Sequence, residues 1–238
     1  MSKIKFPTVS EVIAHIFNNY REYHGQELFN VLVDILMHRY QFTEIDAIEL
    51  AERIENRVKI RLLNNPSSPM KVVDGVLLIS EDYERKEIFK KTLSRLDPFL
   101  FQKLAAIHVC KSLQAKLIEF GIHRDEGKDV VVSIQDLIII AQVRHHKNRP
   151  VSKGEIEEWL LKVDQKFPGA AKVFVGICFT KDARRFAKSK KLRLIDFNDL
   201  FNTVNYIWGL DYFLKSPKQI IEEEFSKLKG DISNSLKE

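Results

Sequence analysis

The chain has 238 residues, of which 45% are hydrophobic and 30% are charged. This balance is typical of a globular protein and excludes a largely disordered chain, and the length fits one large or two small domains. No apolar run approaches the roughly 18 residues of a transmembrane helix, and the first residues lack the apolar stretch of a secretory signal. We therefore expect an intracellular protein that does not bind membranes.

Cysteine usage agrees with a location in the cytoplasm or the nucleus. The two cysteines, Cys110 and Cys178, are far apart in the sequence and have no spacing typical of metal ligands. We expect both to be reduced, buried thiols in a reducing compartment, and no structural zinc site is predicted.

Positive charge is concentrated in one part of the chain. The net charge is +5. Residues 141–193 contain 14 Lys and Arg against 5 Asp and Glu, a local charge of +9, so the remainder carries −4. Such a segment is typical of a surface that binds the phosphates of a nucleic acid. The alternative is a lysine-rich surface that only meets solvent.

Three helices and a hairpin are predicted for the first domain, residues 1–81. Thr8 and Glu11 form a capping box that begins the first helix. Two strand-forming runs later flank Asp74-Gly75, the preferred two-residue hairpin turn. Between them, apolar residues at helical spacing predict two more helices, over about 26–40 and 43–63.

This element order is that of a winged helix, whose third helix enters a groove of DNA. Arg53 and Arg57 would then face the nucleic acid. Three glutamates of the same helix would repel its phosphates: Glu49, Glu52 and Glu55. A helical packing or dimerisation domain is therefore the alternative.

A charged, helical connector over 82–96 leads to a domain with a different pattern, predicted over 97–215. Asp97 as N-cap and Pro98 at the first helical position begin its first helix. The elements that follow are strands at 130–134 and 137–143, a helix from 152 to about 167, a strand at 172–178, a helix at 180–188 and a strand at 192–195. This order predicts an α/β fold with a mixed sheet between layers of helices. A C-terminal helix and tail are expected over 216–238.

Asp129, Gln142 and Arg144 could form a catalytic centre on the first two of these strands. Metal-dependent cleavage of a phosphodiester needs a carboxylate that holds Mg²⁺ and a cation that offsets charge on the phosphate. Side chains two residues apart on a strand point to the same side, so Gln142 and Arg144 share a face. The short turn at Gln135-Asp136 joins the two strands.

The motifs around these residues resemble the Mrr-type domains of the PD-(D/E)xK nuclease superfamily. Those domains have a D-x-G-x-D segment, a short hairpin and then Q-x-K. This chain has Asp125, Gly127 and Asp129, followed by Gln142. Further matches follow in the family's order, namely a capped helix from 152, an apolar strand at 173–177, a helix with alanines at 183 and 187, and a strand that ends at 196.

The resemblance implies a restriction-endonuclease-like α/β sandwich. It also implies a DNA endonuclease that depends on Mg²⁺ or Mn²⁺. Members of this superfamily often act as homodimers, so a homodimer is expected as well.

Two positions depart from the family pattern. Arg144 stands where the family usually has Lys, and arginine keeps its charge at any working pH, so it cannot carry a proton but can hold a phosphate. Gln102 stands where many relatives have Glu, which removes one metal contact. Asp129 and Gln142 are then the expected metal ligands, and Lys147 could swing back in place of the missing lysine.

The resemblance thus leaves two functions open. In an active nuclease, the catalytic residues would be Asp129, Gln142, Arg144 and Lys147, with Asp125 and Gln102 in support. In a degenerate nuclease fold, the domain would bind nucleic acid or assemble with protein without cleaving.

Several basic residues after the second strand are expected to contact DNA phosphates, namely Arg144, Lys147, Arg149, Lys181, Arg184 and Arg185. His145 and His146 lie in the same loop and could be zinc ligands or general bases. Because adjacent residues at a strand end point apart, we favour a basic loop over a shared metal site. For the lysines and arginines at 181–191, a solvated face is the alternative.

Overall fold

The computed structural model describes residues 6–65, 68–121 and 128–235, the last six of them by their backbone only. The chain divides into two compact units, Met1–Glu87 and Ile88–Glu238. No helix in the described ranges is long and apolar enough to cross a membrane.

The first unit packs helices against a short antiparallel sheet. Its hairpin turn places Asp74 and Gly75 at φ of 50° and 82°, the left-handed pair that Asp-Gly favours. The segment before the second helix joins the hairpin through a bridge between Glu27 and Val76. The elements are α1 (Val9–Asn18), α2 (Leu28–Tyr40), α3 (Glu44–Leu63), β1 (Met70–Val73) and β2 (Val76–Ile79), and the predicted capping box of α1 is formed.

The second unit contains a mixed sheet between helices, which confirms the predicted fold class. Its strands lie in the order β3-β4-β5-β6-β7, antiparallel from β3 to β5 and parallel from β5 to β7. Their bounds are β3 (Lys116–Phe120), β4 (Val130–Ile134), β5 (Leu137–Arg144), β6 (Ala171–Gly176) and β7 (Arg193–Ile195).

Seven helices of the described ranges accompany this sheet: α4 (Glu81–Arg95), α5 (Pro98–Leu113), α6 (Lys153–Lys166), α7 (Lys181–Ser189), α8 (Phe197–Ile207), α9 (Leu210–Lys215) and α10 (Pro217–Ser235). The connector predicted over 82–96 is the helix α4, and its residues Phe89 and Leu93 are fully buried in the core of the second unit. Asp97 caps α5, with Pro98 at its first position, as predicted.

Each face of the sheet packs against its own set of helices. Ile139, Ala141 and Val143 of β5 lie in the core shared with α5, α8, α9 and α10. Ile140, which points to the other side, lies in the core shared with α6 and α7. Because Gln142 follows Ile140 by two residues, its side chain points towards the α6–α7 side of the sheet.

The structure differs from the predicted elements at several places. Strand β3 and helix α9 were not predicted. The pair His24-Gly25 predicts the end of the first helix and Asn198 the start of another, but α1 ends at Asn18 and Asp196 is the N-cap of α8. The nearly all-apolar run at 137–143 predicts a strand buried on both faces, but Leu137 is 48% exposed. Pairing with β6 begins only at Ile139, so the first residues of β5 project beyond the neighbouring strand.

Both cysteines are free thiols. Cys110 is buried in the core, and burial raises the pKa of its thiol to about 12. Cys178 is only partly buried, so the prediction of burial holds fully for Cys110 alone.

His108 should make the second unit sensitive to acid. Its Nδ1 lies 2.7 Å from Thr203 Oγ1, and burial together with the charge of Arg193 lowers its pKa from 6.5 to about 4. Below pH 6.5 His108 is therefore protonated in the unfolded chain but stays neutral in the folded chain. The free energy of unfolding consequently falls between pH 6.5 and 4. At pH 5 we expect a loss of about 2 kcal/mol relative to pH 7.

Urea unfolding of the native chain and of His108→Gln measures this loss. Both tryptophans, Trp159 and Trp208, are in the second unit, so their fluorescence follows that unit. Glutamine does not titrate, and its variant should lose about 2 kcal/mol less between pH 7 and pH 5. An equal loss in both proteins would contradict the assignment to His108.

Candidate active site

Asp129 and Gln142 face each other across β4 and β5. The antiparallel register pairs Val130 with Ala141, so the next pair outwards joins 129 to 142. The pairing is continued by the Asp129 amide, which donates to Ala141 O at 3.0 Å. The structure therefore brings the predicted carboxylate and amide together at one end of the hairpin.

The carboxylate of Asp129 is held by two donors. Its Oδ2 accepts a hydrogen bond from Val143 N at 2.7 Å and a short one from the Gln142 side-chain amide. Burial raises the pKa of Asp129, although the Val143 hydrogen bond and the charge of Arg144 act in the opposite direction. The ionised form is thus costly here and is stabilised by a few specific contacts.

Gln102 supports the backbone beneath this pair from the opposite face of the sheet. The side chain lies on α5 and is only 6% exposed. Its amide donates to Asp129 O at 3.1 Å and to Gly121 O at 3.4 Å. Gln102 therefore holds the ends of β3 and β4, whereas its side chain makes no described contact with the Asp129 carboxylate.

Arg144 is exposed at the end of β5, two residues after Gln142. The described partner of its guanidinium is Val143 O, at 3.4 Å. Its positive charge acts against the rise in the pKa of Asp129 that burial causes. Arg144 thus lies near Asp129 in the sheet and is exposed to solvent, so its guanidinium N–H groups can bind a phosphate.

The two histidines of the loop after β5 point to different partners, which agrees with the expected divergence. His145 stacks on Phe101 with ring centroids 4.6 Å apart and donates through Nε2 to Leu93 O at 2.8 Å. His146 donates to Glu155 at 2.5 Å. The two rings therefore do not form a shared metal site.

Glu155 fixes this loop to the start of α6, a role that the sequence did not reveal. Its carboxylate accepts hydrogen bonds from His146, from Arg149 at 2.8 and 3.1 Å, and from Ser152 N at 3.0 Å. The pKa of Glu155 lies well below its usual range, and the hydrogen bond from Arg149 makes the largest contribution to this decrease. Arg149 is thus engaged within the chain, and the capping box was the only sequence signal for Glu155.

The other predicted phosphate contacts have varied surroundings. Lys147 and Lys181 are exposed. Arg184 donates to Asp196 at 2.7 Å, and Arg185 lies 3.4 Å from Asp182 on the same helix. In the first unit, Arg53 pairs with Glu49 at 3.7 Å and Arg57 is exposed. Asp125 lies outside the described residues.

The donor set at Asp129 is small for a metal ion. No group of three or more His, Cys, Asp or Glu within the described ranges is arranged to hold a metal. One carboxylate and one amide oxygen suffice for Mg²⁺ only when phosphate oxygens and waters complete its shell, as occurs at many phosphoryl-transfer sites. Gln142 donates its N–H₂ to Asp129, so rotation of the amide by 180° would present its oxygen instead. The residues therefore fit a metal that arrives with a nucleic-acid phosphate.

Residues 93–204 match the model of the Mrr_cat family, described as a restriction endonuclease. The second unit therefore contains a region similar to an Mrr-type restriction endonuclease domain. The matched range includes Gln102, Asp129, Gln142 and Arg144. A comparison with curated proteins gave no match.

One solved structure similar to this chain is that of MspJI restriction endonuclease in complex with a 27-mer oligonucleotide. The two are 16% identical, with a TM-score of 0.43. The similarity covers 66% of this chain, and this chain spans 38% of the length of the MspJI chain.

Proposed function

We propose that the Mrr-type domain is a metal-dependent DNA endonuclease centred on Asp129, Gln142 and Arg144. The observation that carries the proposal is the convergence of these residues where β4 begins and β5 ends, with the buried carboxylate facing the amide and Arg144 two residues further along β5. Metal-dependent hydrolysis of a phosphodiester uses a carboxylate that holds the metal ion and a cation beside the phosphate, and the amide is an additional ligand.

In this reaction a water molecule attacks phosphorus, the P–O bond to the leaving oxygen breaks and a proton passes to that oxygen. Each residue of the centre has a separate role. Asp129 and Gln142 would hold the metal ion, which supplies positive charge beside the phosphate. Arg144 binds a phosphate oxygen and offsets the charge that develops in the transition state. Val143 N–H and Gln102 keep the carboxylate and its backbone in place.

Cleavage of plasmid DNA tests the proposal. The native chain should nick or linearise a supercoiled plasmid in the presence of Mg²⁺ or Mn²⁺ and should be inactive in excess EDTA. Asp129→Ala should be inactive under the same conditions. Absence of cleavage by the native chain with either ion, or equal cleavage by both proteins, would exclude the enzymatic function.

A second candidate function is a nuclease fold that binds nucleic acid or protein without cleaving. It is favoured by arginine at position 144, which cannot exchange a proton, and by the small donor set for a metal. This candidate requires that DNA binding weaken with rising salt and stay unchanged in Asp129→Ala. If no DNA is bound at low salt, protein assembly is the function that is left.

We also propose that the first unit is a winged helix that contacts DNA. Its three helices are followed by the hairpin β1–β2, the element order of a winged helix, and a bridge between Glu27 and Val76 joins the segment before α2 to that hairpin. Arg53 and Arg57 lie on the exposed side of α3. The exposed glutamates of α3 favour the alternative of an assembly domain.

Further parts of the proposal concern the whole protein. The domain limits are 1–81 and 97–215, with a C-terminal helix and tail at 216–238. One centre per chain can cut one strand, so cleavage of both strands would take a homodimer. The protein would act in the cytoplasm or the nucleus, where its free thiols stay reduced.

A further inference from the structure

A cavity of about 430 Å³ lies at the opposite end of the sheet from Asp129. It is lined by the first residues of β6 and β7, by Ile139 of β5 and by residues of the turn after α7. Gln142 lies three residues further along β5 than Ile139, which corresponds to about 10 Å. Neither Asp129 nor Gln142 nor Arg144 lines the cavity, so it is separate from the proposed nuclease centre.

The charged lining of this cavity is strongly positive. Four cations line it together with one carboxylate, Asp164. Lys172 lies 2.6 Å from Asp164 and neutralises it. The remaining three cations, Lys190, Lys191 and Arg193, are exposed and have no ion pair among the described residues; Lys190 Nζ lies 6.0 Å from the centre of the Phe186 ring. A net charge of about +3 around one concavity creates a positive potential that attracts anions.

Two of these cations, Lys190 and Lys191, form the turn that ends α7 beside the cavity. Lys191 has a φ of 54°, in the left-handed region that favours glycine at the end of a helix. The turn is closed by a hydrogen bond from Leu192 N to Ala187 O at 2.9 Å.

The remaining lining is apolar. Side chains from α5, α6 and the sheet form it: Leu113, Ile139, Leu160, Ala170, Ala171, Val173 and Leu192. A ligand that satisfies this lining combines a flat apolar part with an anionic part. The cavity volume lies within the range of small-molecule sites.

We infer that this cavity is a second ligand site, which binds a nucleoside monophosphate unit with its base on the apolar floor and its phosphate on Lys190, Lys191 and Arg193. The unit is either a free nucleotide or the phosphorylated end of a DNA strand, because both present the same chemistry. Arg193 also lies close enough to His108 to lower its pKa, so an anion bound here would raise it.

Isothermal titration of the full chain, without divalent metal, tests this inference. The probes are the four deoxynucleoside 5′-monophosphates, deoxyadenosine and inorganic phosphate. At least one monophosphate should bind saturably and at least 10-fold more tightly than deoxyadenosine or phosphate alone. A 5′-phosphorylated dodecamer that competes with it, while its unphosphorylated form does not, would identify the strand end as the source; a dodecamer without this effect would identify the free nucleotide.

Two variants separate this site from the nuclease centre. Lys190→Gln/Lys191→Gln/Arg193→Gln changes exposed side chains only, and it should weaken monophosphate binding at least 10-fold. Asp129→Asn should bind as the native chain does, and so should Lys215→Gln/Lys218→Gln, which removes two exposed positive charges elsewhere in the same unit. The inference is overturned if none of the four monophosphates binds below millimolar concentration, or if the triple variant binds them as tightly as the native chain. Neither outcome depends on whether the protein cleaves DNA.

Discussion

Replacing Asp129 by asparagine should abolish DNA cleavage and leave the second unit at least as stable as in the native chain. The metal ion loses its only carboxylate among the described ligands, and we expect the cleavage rate to fall at least 100-fold, as for loss of one key electrostatic group. The stability follows from the raised pKa of Asp129. Because folding disfavours the ionised form, the charge lowers the free energy of unfolding above that pKa, and this cost disappears with a neutral amide.

Asparagine can preserve the local hydrogen bonds. Its Oδ1 can accept from Val143 N and from the Gln142 amide, as Asp129 Oδ2 does. Asp129→Ala removes the acceptor and leaves the buried amide of Gln142 and the Val143 N–H without a partner. That variant should be destabilised by about 1–3 kcal/mol.

The comparison of the two variants separates a catalytic role from a structural one. Cleavage should be lost in both, whereas the urea midpoint, followed by tryptophan fluorescence, should fall only in Asp129→Ala. Retained cleavage in Asp129→Asn would show that the carboxylate is not required. A clear drop in stability of Asp129→Asn at pH 7 would contradict the assignment of a costly buried charge.

The pairing of Asp129 with Gln142 could be predicted because two-residue turns fix the register of a hairpin. With Gln135 and Asp136 in the turn, Ile134 pairs with Leu137, and each step outwards preserves the sum of the two residue numbers. The same local signals located the helix starts, since the capping boxes at Thr8 and Ser152 depend on side chains three residues apart.

Strand β3 could not be predicted, because its sequence lacks both strand signals. Lys116–Phe120 is a short edge strand in which Leu117 alone is buried, so it has neither an apolar run nor a clear alternation. The strand forms because β4 offers a free edge, to which it pairs with one irregularity in register. Such pairing depends on tertiary contacts, which the intrinsic strand propensities of the residues do not describe.

The sequence also could not predict which basic residues are free of ion pairs. Counting charges gives +9 for residues 141–193, but the count does not show which cations are neutralised. Arg149 is bound by Glu155, six residues away, and Arg184 by Asp196, twelve residues away. Cations without such partners occur instead around the cavity at the start of β6 and β7.

Removing the charge of Arg144 is expected to reduce cleavage by a factor of about 100–1,000, the usual cost of losing one group that stabilises transition-state charge. Arg144→Gln keeps a polar side chain at an exposed position, so the fold should be unaffected. Arg144→Lys restores the residue that the family usually has. Because a lysine retains the positive charge, this variant should stay within about 10-fold of the native rate even though it loses bidentate binding.

Rates of plasmid cleavage under single-turnover conditions measure these effects, with Lys218→Gln as a control for the loss of one exposed positive charge in the same unit. Native activity of Arg144→Gln would exclude Arg144 from the centre, and a large loss in Lys147→Gln would then assign the role to that lysine. If Arg144→Lys cleaves much faster than the native chain, proton exchange rather than charge limits the reaction. In that case arginine at this position would itself slow the enzyme, and phosphate binding would be its remaining contribution.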